Sequence, residues 1–528
     1  MIVNYQELKK TIDTNSFILA LVNKNHWFLK SFDLKSVYFG YWVIVDDNVY
    51  KLIQDINFSE EIKSIEILDE KSAIIKCANN NIKVFLDAQG LVIESEKPTF
   101  ISIDIDYRIL YSNKINQSLG KIIFQENKYI LVYYLENEEI SCEFYYEGML
   151  KFVDKNFEIF YDYDKKRNSS FLYNKIFKSF EGYVTYLKIY NSDKKTTEDL
   201  LIPNYKSKFK NFLIKRVFSL FNFNNGFLAG LPWFSQRWFR DELITLLFFD
   251  KKLENIKKQI IENYLESLEE IYLLNKKDGI LAADTFLLIV NNLDDDLVNM
   301  YKNKLIKYLE NWNSVFNMYK DSLPAKSTWM DTIERKRAIE IDFLYYNVLL
   351  KLNFNLEAKK FKTFLKSRIK SGFYEKEEFL RPNWFFCYFL NNNFFEREEL
   401  ESIFDDLIKN NFLKWGGFSS LSFNHKNFQN SYTGEDPSSY HQGDSWFWIN
   451  NLSIFSLLNF DFKKYKKIIS RLKSATLKNL LFKGALGYIS ELSSAKMLEA
   501  EGSPIQLWSL SSLILSLDKK FIFNSKNK

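Results

Sequence analysis

The feature that most constrains this chain is an alternation that begins near residue 225. Very apolar helical segments take turns with heavily charged ones. The apolar members are DELITLLFF (241–249), ADTFLLIVNNL (283–293), EIDFLYYNVLLKL (340–352), NWFFCYFL (383–390), DSWFWINNLSIFSLLNF (444–460) and IQLWSLSSLILSL (505–517). The charged members lie at 251–270, 299–312, 356–370, 395–410 and 461–478. A helix that is apolar nearly all round must be enclosed by protein, whereas an amphipathic one faces water. Six of the first kind and about six of the second predict two concentric rings of helices, an (α/α)6 toroid. The recurrence, at roughly 45–65 residues, is the mark of a repeat architecture. The sixth charged helix is expected from 206–222, which also reads as the connection to what precedes.

Residues 35–190 have a different rhythm. SVYFGYWVIV, AIIKCANNNIKVFL, FISIDIDYRILY, KIIFQENKYILVYYL and ISCEFYYEGMLKF are β-branched and aromatic runs, separated by turns such as DAQG and ENEE. Many short strands at close spacing predict an antiparallel β-sandwich. The expected organisation is therefore multidomain, with a β-sandwich over 1–200 and the toroid over 201–528.

Composition removes several classes. A hydrophobic fraction of 46% with only seven prolines and 16 glycines excludes a disordered or collagen-like chain. Lys+Arg 72 against Asp+Glu 67 is near balance, and basic residues cluster only in the short KSKFK at 206–210 and the KNK tail, so no nucleic-acid partner is expected. No run approaches 18 apolar residues, and acidic residues precede the short apolar stretch near the N-terminus. Neither a membrane span nor a signal peptide is expected. Cys77, Cys142 and Cys387 are far apart and form no CxxC, which suits a reducing interior. A cytoplasmic location is the expectation.

Motif-bearing loops lead into the apolar helices, so they gather at one mouth of the predicted ring. Five of the seven prolines and nine of the 11 tryptophans lie in this half, and loops on a rigid scaffold are where function is usually carried. GLPWFSQRWFRDE (230–242) sets Trp233 and Trp238 beside Arg240 and Asp241. A flat aromatic next to a bidentate donor and a carboxylate suits a sugar, although Arg-Asp at a helix start also reads as a capping ion pair. Asp284 begins the next apolar helix and reads equally as a cap. Asp331 follows Trp329 and Met330. Poor solvation there is expected to raise its pKa and keep it protonated, with Glu334 as a rival one turn on. Glu340 and Asp342 open the following helix, and Arg381 and Asn383 in RPNW are candidate hydroxyl binders. The long loop 415–448 brings His441 just before Trp446, and 484–510 offers Glu491, Glu499 and Glu501. Any of the three fits a second carboxylate. No HxxH spacing, Walker A, GxGxxG or Ser-His-Asp order appears, so neither a metal nor a cofactor is expected. A mouth rich in tryptophan and carboxylate points to glycoside hydrolysis by two acids.

In order along the chain, GLPWFSQRWFRDE, STWMD, RAIEIDFLYYN, RPN, SYHQGDSWFW and SEL followed by SPIQLWSLSSL resemble the amylo-α-1,6-glucosidase domain of glycogen debranching enzymes. They are also similar to the wider glucoamylase-like clan of (α/α)6 hydrolases. The resemblance covers about 225–517. It implies an inverting, exo-acting hydrolase that releases glucose from α-1,6 branch stubs of glycogen or a related α-glucan. Asp331 would be the general acid and Glu491 the general base. Arg240 and Asp241 would bind hydroxyls of the terminal glucose, Trp329 and Trp233 would wall it, and His441 and Trp446 would line the far rim. An α-1,4-glucosidase or trehalase on the same scaffold, or an inactive glucan-binding protein, are the alternatives. The chain departs from the family pattern at Phe239, Glu242, Asp342, Trp384 and Ser490.

Overall fold

The protein is described by a computed structural model covering residues 2–4, 18–32, 36, 38–45, 48–109, 119–135, 138–154, 158–160, 173–175, 178–191, 202–221, 226–232, 234–268, 282–372, 381–434 and 436–517. It divides into two compact units. The first holds Met1–Gln236 with Asn479–Ile489 and Ser503–Ile505, and the second holds Arg237–Lys478, Ser490–Gly502 and Gln506–Lys528.

The first unit is built on a 13-stranded antiparallel sheet. Its axis is the long strand Gly90–Ile109, which pairs along one edge with Lys178–Tyr190. Along the other edge its first part pairs with Asn81–Leu86 and its last part with Asn48–Phe58, so the sheet forks there. Apolar residues from both arms, among them Phe28, Tyr41, Ile65, Val84, Ile103 and Phe144, fall in one buried cluster. Two strands, Ile18–Asn23 and His26–Ser31, precede the region read as strands from sequence. Every residue in both is buried, so neither shows the period-2 alternation that marks a half-exposed strand. Helix α1 (Lys208–Phe218) belongs to this unit. Its Arg216 lies between the Phe212 and Tyr488 rings, 5.0 and 4.7 Å from their centroids, and donates to the Asp69 carbonyl at 2.7 Å.

The second unit is helical. Its helices are α2 (Phe239–Leu247), α3 (Glu254–Glu266), α4 (Ala283–Asn292), α5 (Asp295–Val315), α6 (Ile339–Lys351), α7 (Asn355–Lys370), α8 (Trp384–Leu390), α9 (Arg397–Asn411), α10 (Phe447–Phe482) and α11 (Leu507–Ser516). Helix α10 is broken at Asp461, whose carboxylate caps the second part by accepting from Lys464 N at 3.0 Å. The break falls where the apolar sequence gives way to the charged one.

The charged helices bury one stripe each, as Leu400, Phe404 and Leu407 do on α9. The apolar helices are buried nearly all round, and their few polar side chains must find partners inside. They find them on one another. Asn292 of α4 donates to the Leu243 carbonyl of α2 at 2.9 Å, and Asn291 to Leu344 of α6 at 3.1 Å. Asn347 of α6 donates to Leu390 at the end of α8 at 3.1 Å. Ser456 of α10 donates to Phe385 of α8 at 3.2 Å, and Asn451 of α10 to Ser509 of α11 at 3.0 Å. Ser511 of α11 meets Thr245 of α2 at 3.2 Å, which closes the series. Among the described residues no helix is long and apolar enough to cross a membrane.

Candidate active site

The first turns of the apolar helices carry candidate residues, Arg240 and Asp241 on α2, Asp284 on α4 and Glu340 on α6, and the candidate Trp446 lies just before α10. Helix N-termini favour negative charge, so acids here are stabilised by local structure before any tertiary contact. Trp233 lies outside the described residues.

The aromatic residues form a rigid platform. The Trp329 ring stands edge-on to His441 (5.3 Å), Trp446 (5.3 Å), Trp448 (4.9 Å) and Trp508 (6.4 Å). His441 stacks on Trp446 at 4.9 Å and 13°. All five are buried. Edge-to-face pairs contribute about 0.5–1.5 kcal/mol each beyond burial, so Trp329 is held from several sides, and Asp331 follows two residues later.

Around Asp331 the charges converge. Arg240 Nε binds Asp284 Oδ2 at 2.6 Å, and its Nη1 stands 3.6 Å from Asp331 Oδ2. On the other side, His441 Nε2 approaches Asp331 Oδ1 at 3.5 Å. Burial raises the pKa of Asp331, but His441 and Arg240 outweigh it and hold it below the ordinary value. This departs from the sequence expectation of a raised pKa. The Trp and Met neighbours are present, yet a guanidinium and an imidazole reach the same carboxylate. Glu334, the rival, is exposed. His441 is driven down by burial, ahead of the opposing pull of Asp331, so its ring is neutral at neutral pH.

Asp241 is the opposite case. Burial, opposed by Arg240 and reinforced by the charges of Glu491 and Asp331, raises its pKa to about 8. Its Oδ1 accepts from Gln506 Nε2 at 2.9 Å. Asp284 is likewise raised by burial against the pull of Arg240.

Glu491 is 3% exposed and accepts from the Tyr440 hydroxyl at Oε1. Its carbonyl accepts from Phe447 N at 3.2 Å, which fixes its backbone to the start of α10. The segment after it folds back, with Leu492 and Glu501 exchanging backbone hydrogen bonds of 3.0 and 3.3 Å. Gly502 then sits against the Glu491 side chain in a left-handed conformation (φ +64), and a Cβ there would lie 2.3 Å from Oε2. Glu499 and Glu501 are buried too, at 7% and 5%. Of the three acids, Glu491 is the one whose charge acts on both Asp241 and Tyr440.

Three further candidates are engaged within the protein. Glu340 forms a two-pronged pair with Arg335 (2.6 and 3.0 Å) and accepts from Asn383 at 3.0 Å. Burial raises its pKa, but Arg335 more than offsets this and leaves it lowered. Arg381 donates to the carbonyls of Ser420 (2.8 Å) and His441 (2.7 Å), tying the long loop to the start of α8. Two departures from the family pattern fall in one packed group. Phe239 lies edge-on to Tyr264 at 5.4 Å, and Tyr264 donates to Glu242, which also binds Arg237 at 2.8 Å. Sequence reasoning passed over Tyr440, Gln506 and Arg335, none of which carries a spacing signal. Among the described residues no group of three or more His, Cys, Asp or Glu is placed to hold a metal.

Residues 322–515 match the family model described as amylo-alpha-1,6-glucosidase. The resemblance read from the motifs therefore holds over that span, and it points to a glycoside hydrolase of the glucoamylase-like type. The match includes Asp331 and Glu491 and begins after Arg240, Asp241 and Asp284. No curated protein matches the chain.

Three outcomes follow from this geometry. Gly502→Ala adds a methyl against Glu491 and about 1–2 kcal/mol of left-handed strain, so the crystal structure of the variant should show Glu491 turned away from Tyr440; an undisturbed contact contradicts the packing. Glu340→Gln leaves the Arg335 charge buried without its partner, which should cost about 3–5 kcal/mol in denaturant unfolding; a change near zero contradicts the pairing. Between about pH 4, where an unfolded Asp titrates, and about 8, native Asp241 keeps a proton that the unfolded chain has released. Its contribution to stability is therefore lost as pH rises through that window. The unfolding midpoint of Asp241→Asn should fall less from pH 5 to 8 than that of the parent, and parallel curves would show that Asp241 titrates normally.

Proposed function

We propose that this protein is an inverting, exo-acting glycoside hydrolase that releases glucose from α-1,6 branch stubs of glycogen or a related α-glucan. The observation that carries this reading is that Asp331 and Glu491, distant in sequence, meet neighbouring side chains of one tryptophan-lined site: Asp331 lies 3.5 Å from His441, and Glu491 accepts from Tyr440, whose ring meets both His441 and Trp446. The family match at 322–515 supports the reaction class. The closed series of contacts among the six apolar helices supports the (α/α)6 toroid, and the shared core of the forked sheet supports the β-sandwich.

In this reading Asp331 is the general acid. Its side chain is 44% exposed, open to an arriving glycosidic oxygen. Arg240 and His441 hold it as a carboxylate. A sugar that excludes water and draws Arg240 to its own hydroxyls raises the proton affinity of Asp331, which prepares it to donate. Glu491 is the general base that takes a proton from water. Inversion needs room for that water, with the two carboxyls roughly 6.5–9.5 Å apart. Arg240 and a protonated Asp241 bind hydroxyls of the terminal glucose. Trp329 and Trp446 form its apolar bed with His441 beside them, while Asp284 orients Arg240, and Glu340, Arg381 and Asn383 support the loops.

A second assignment has an observation in its favour. Asp241 is the carboxyl raised to about 8, whereas Asp331 is lowered, and an acid and a base are often the pair pushed apart in this way. Asp241 would then be the proton donor.

Substrates separate these readings. The enzyme should release β-glucose first from isomaltose-type stubs, followed by NMR, and more slowly from maltodextrin or trehalose. Initial α-glucose contradicts inversion, and no release from any of them favours a glucan-binding protein. Fluoride leaves without a proton, so Asp331→Asn should lose turnover of stubs by orders of magnitude yet retain much of it on α-glucosyl fluoride. Glu491→Gln should lose both. If the fluoride rescues Asp241→Asn instead, Asp241 is the acid.

A further inference from the structure

Tyr440 sits ahead of α10 and is fixed at both ends by one neighbour. Its ring packs edge-on against Trp446 at 4.7 Å, and its carbonyl accepts from Trp446 Nε1 at 2.8 Å. Its ring also meets His441 at 4.9 Å. Its hydroxyl therefore has one place to point, and that place is Glu491 Oε1. Burial, followed by the carboxylates of Glu491 and Asp331, holds the phenol pKa well above its usual value, so Tyr440 remains a donor across any working pH. A hydrogen bond from a neutral donor stabilises the ionised form of a carboxylate without ending its capacity to take a proton. An Arg in the same place would bind Glu491 as an ion pair and weaken it as a base.

We infer that Tyr440 is the positioning residue of the base: its hydroxyl fixes the plane of the Glu491 carboxylate and keeps it ionised for proton abstraction from water. This rests on the reading of Glu491 as the general base. Among the described residues, the other titratable or charged groups of this cluster are Asp241 and Arg240 on α2, Asp331 in the loop before α6, Tyr432 and His441 in the loop before α10, and Glu499 and Glu501 of the same segment as Glu491.

The test is the pH dependence of kcat, which reports groups of the enzyme–substrate complex, on an isomaltose-type substrate for the full chain, its Tyr440→Phe variant and a chain carrying 3-fluorotyrosine at 440. Loss of the hydroxyl removes a bond to the charged form, so the acidic limb should move up by about one pH unit. The rate at the optimum should fall roughly 10–100-fold with KM changed less than about threefold. Fluorotyrosine, a stronger donor of nearly the same shape, should move the limb the other way, which keeps the test open if Tyr440→Phe folds poorly. A limb that stays in place in both variants overturns the assignment. A parent enzyme that turns over with an unmoved limb in the variants sinks Tyr440 alone, whereas a parent that releases no glucose sinks the hydrolase reading and this inference with it.

Discussion

A single guanidinium allows several carboxyl groups to share this buried site. Arg240 binds Asp284 directly, stands against Asp331 and lowers the proton affinity of Asp241. Carboxylates gathered at low dielectric repel one another, and each is poorly solvated. With Arg240 shared among Asp241, Asp284 and Asp331, these three are not all charged at neutral pH. The protein resolves the conflict by position. Asp331, reached by Arg240 and by the neutral His441 ring, keeps its charge, and Asp241, more deeply buried and facing Glu491 and Asp331, keeps its proton. A site with one charged and one protonated acid is thus a consequence of where one arginine sits at the start of α2.

That arrangement depends on helices that cannot shift. Six apolar helices with smooth surfaces would slide against one another, since apolar contact is not directional. The Asn and Ser side chains between them supply direction. Each must satisfy a buried amide or hydroxyl, and each does so on a particular carbonyl of the neighbouring helix, as Asn292 does on Leu243 and Asn451 on Ser509. Asp241, Asp284 and Glu340 lie on the same helices, within about two turns of these bonds, so the registry of the helices sets the registry of those charges.

Much of this was legible in the sequence, for a physical reason. Helices buried on all sides show it in composition, and their observed bounds, such as Ala283–Asn292 and Leu507–Ser516, lie within two residues of the apolar runs at 283–293 and 505–517. The break at Asp461 coincides with the change from apolar to charged sequence. Full burial hid other elements. Ile18–Asn23 and His26–Ser31 lack alternation because both of their faces are covered. The charge state of Asp331 was not legible either. Its local neighbours are Trp329 and Met330, and the groups that decide its charge come from α2 and from the loop before α10. Spacing likewise could not separate Glu491 from Glu499 and Glu501. The segment folds back between Leu492 and Glu501, so sequence neighbours end up in different surroundings.

The two proposed catalytic acids are held by different kinds of partner, and the difference fits their tasks. Asp331 is partly exposed and its partners are a cation and an imidazole. An incoming sugar can compete for the cation, so the proton affinity of Asp331 changes when the site fills. Glu491 is buried, fixed through its backbone to α10, and takes its hydrogen bond from a neutral phenol that does not titrate in the working range. A ligand arriving at the mouth has little there to displace. On this proposal the acid responds to binding and the base remains constant. Gly502 belongs to the same design, since any side chain at that position would press on the carboxylate that has to stay still.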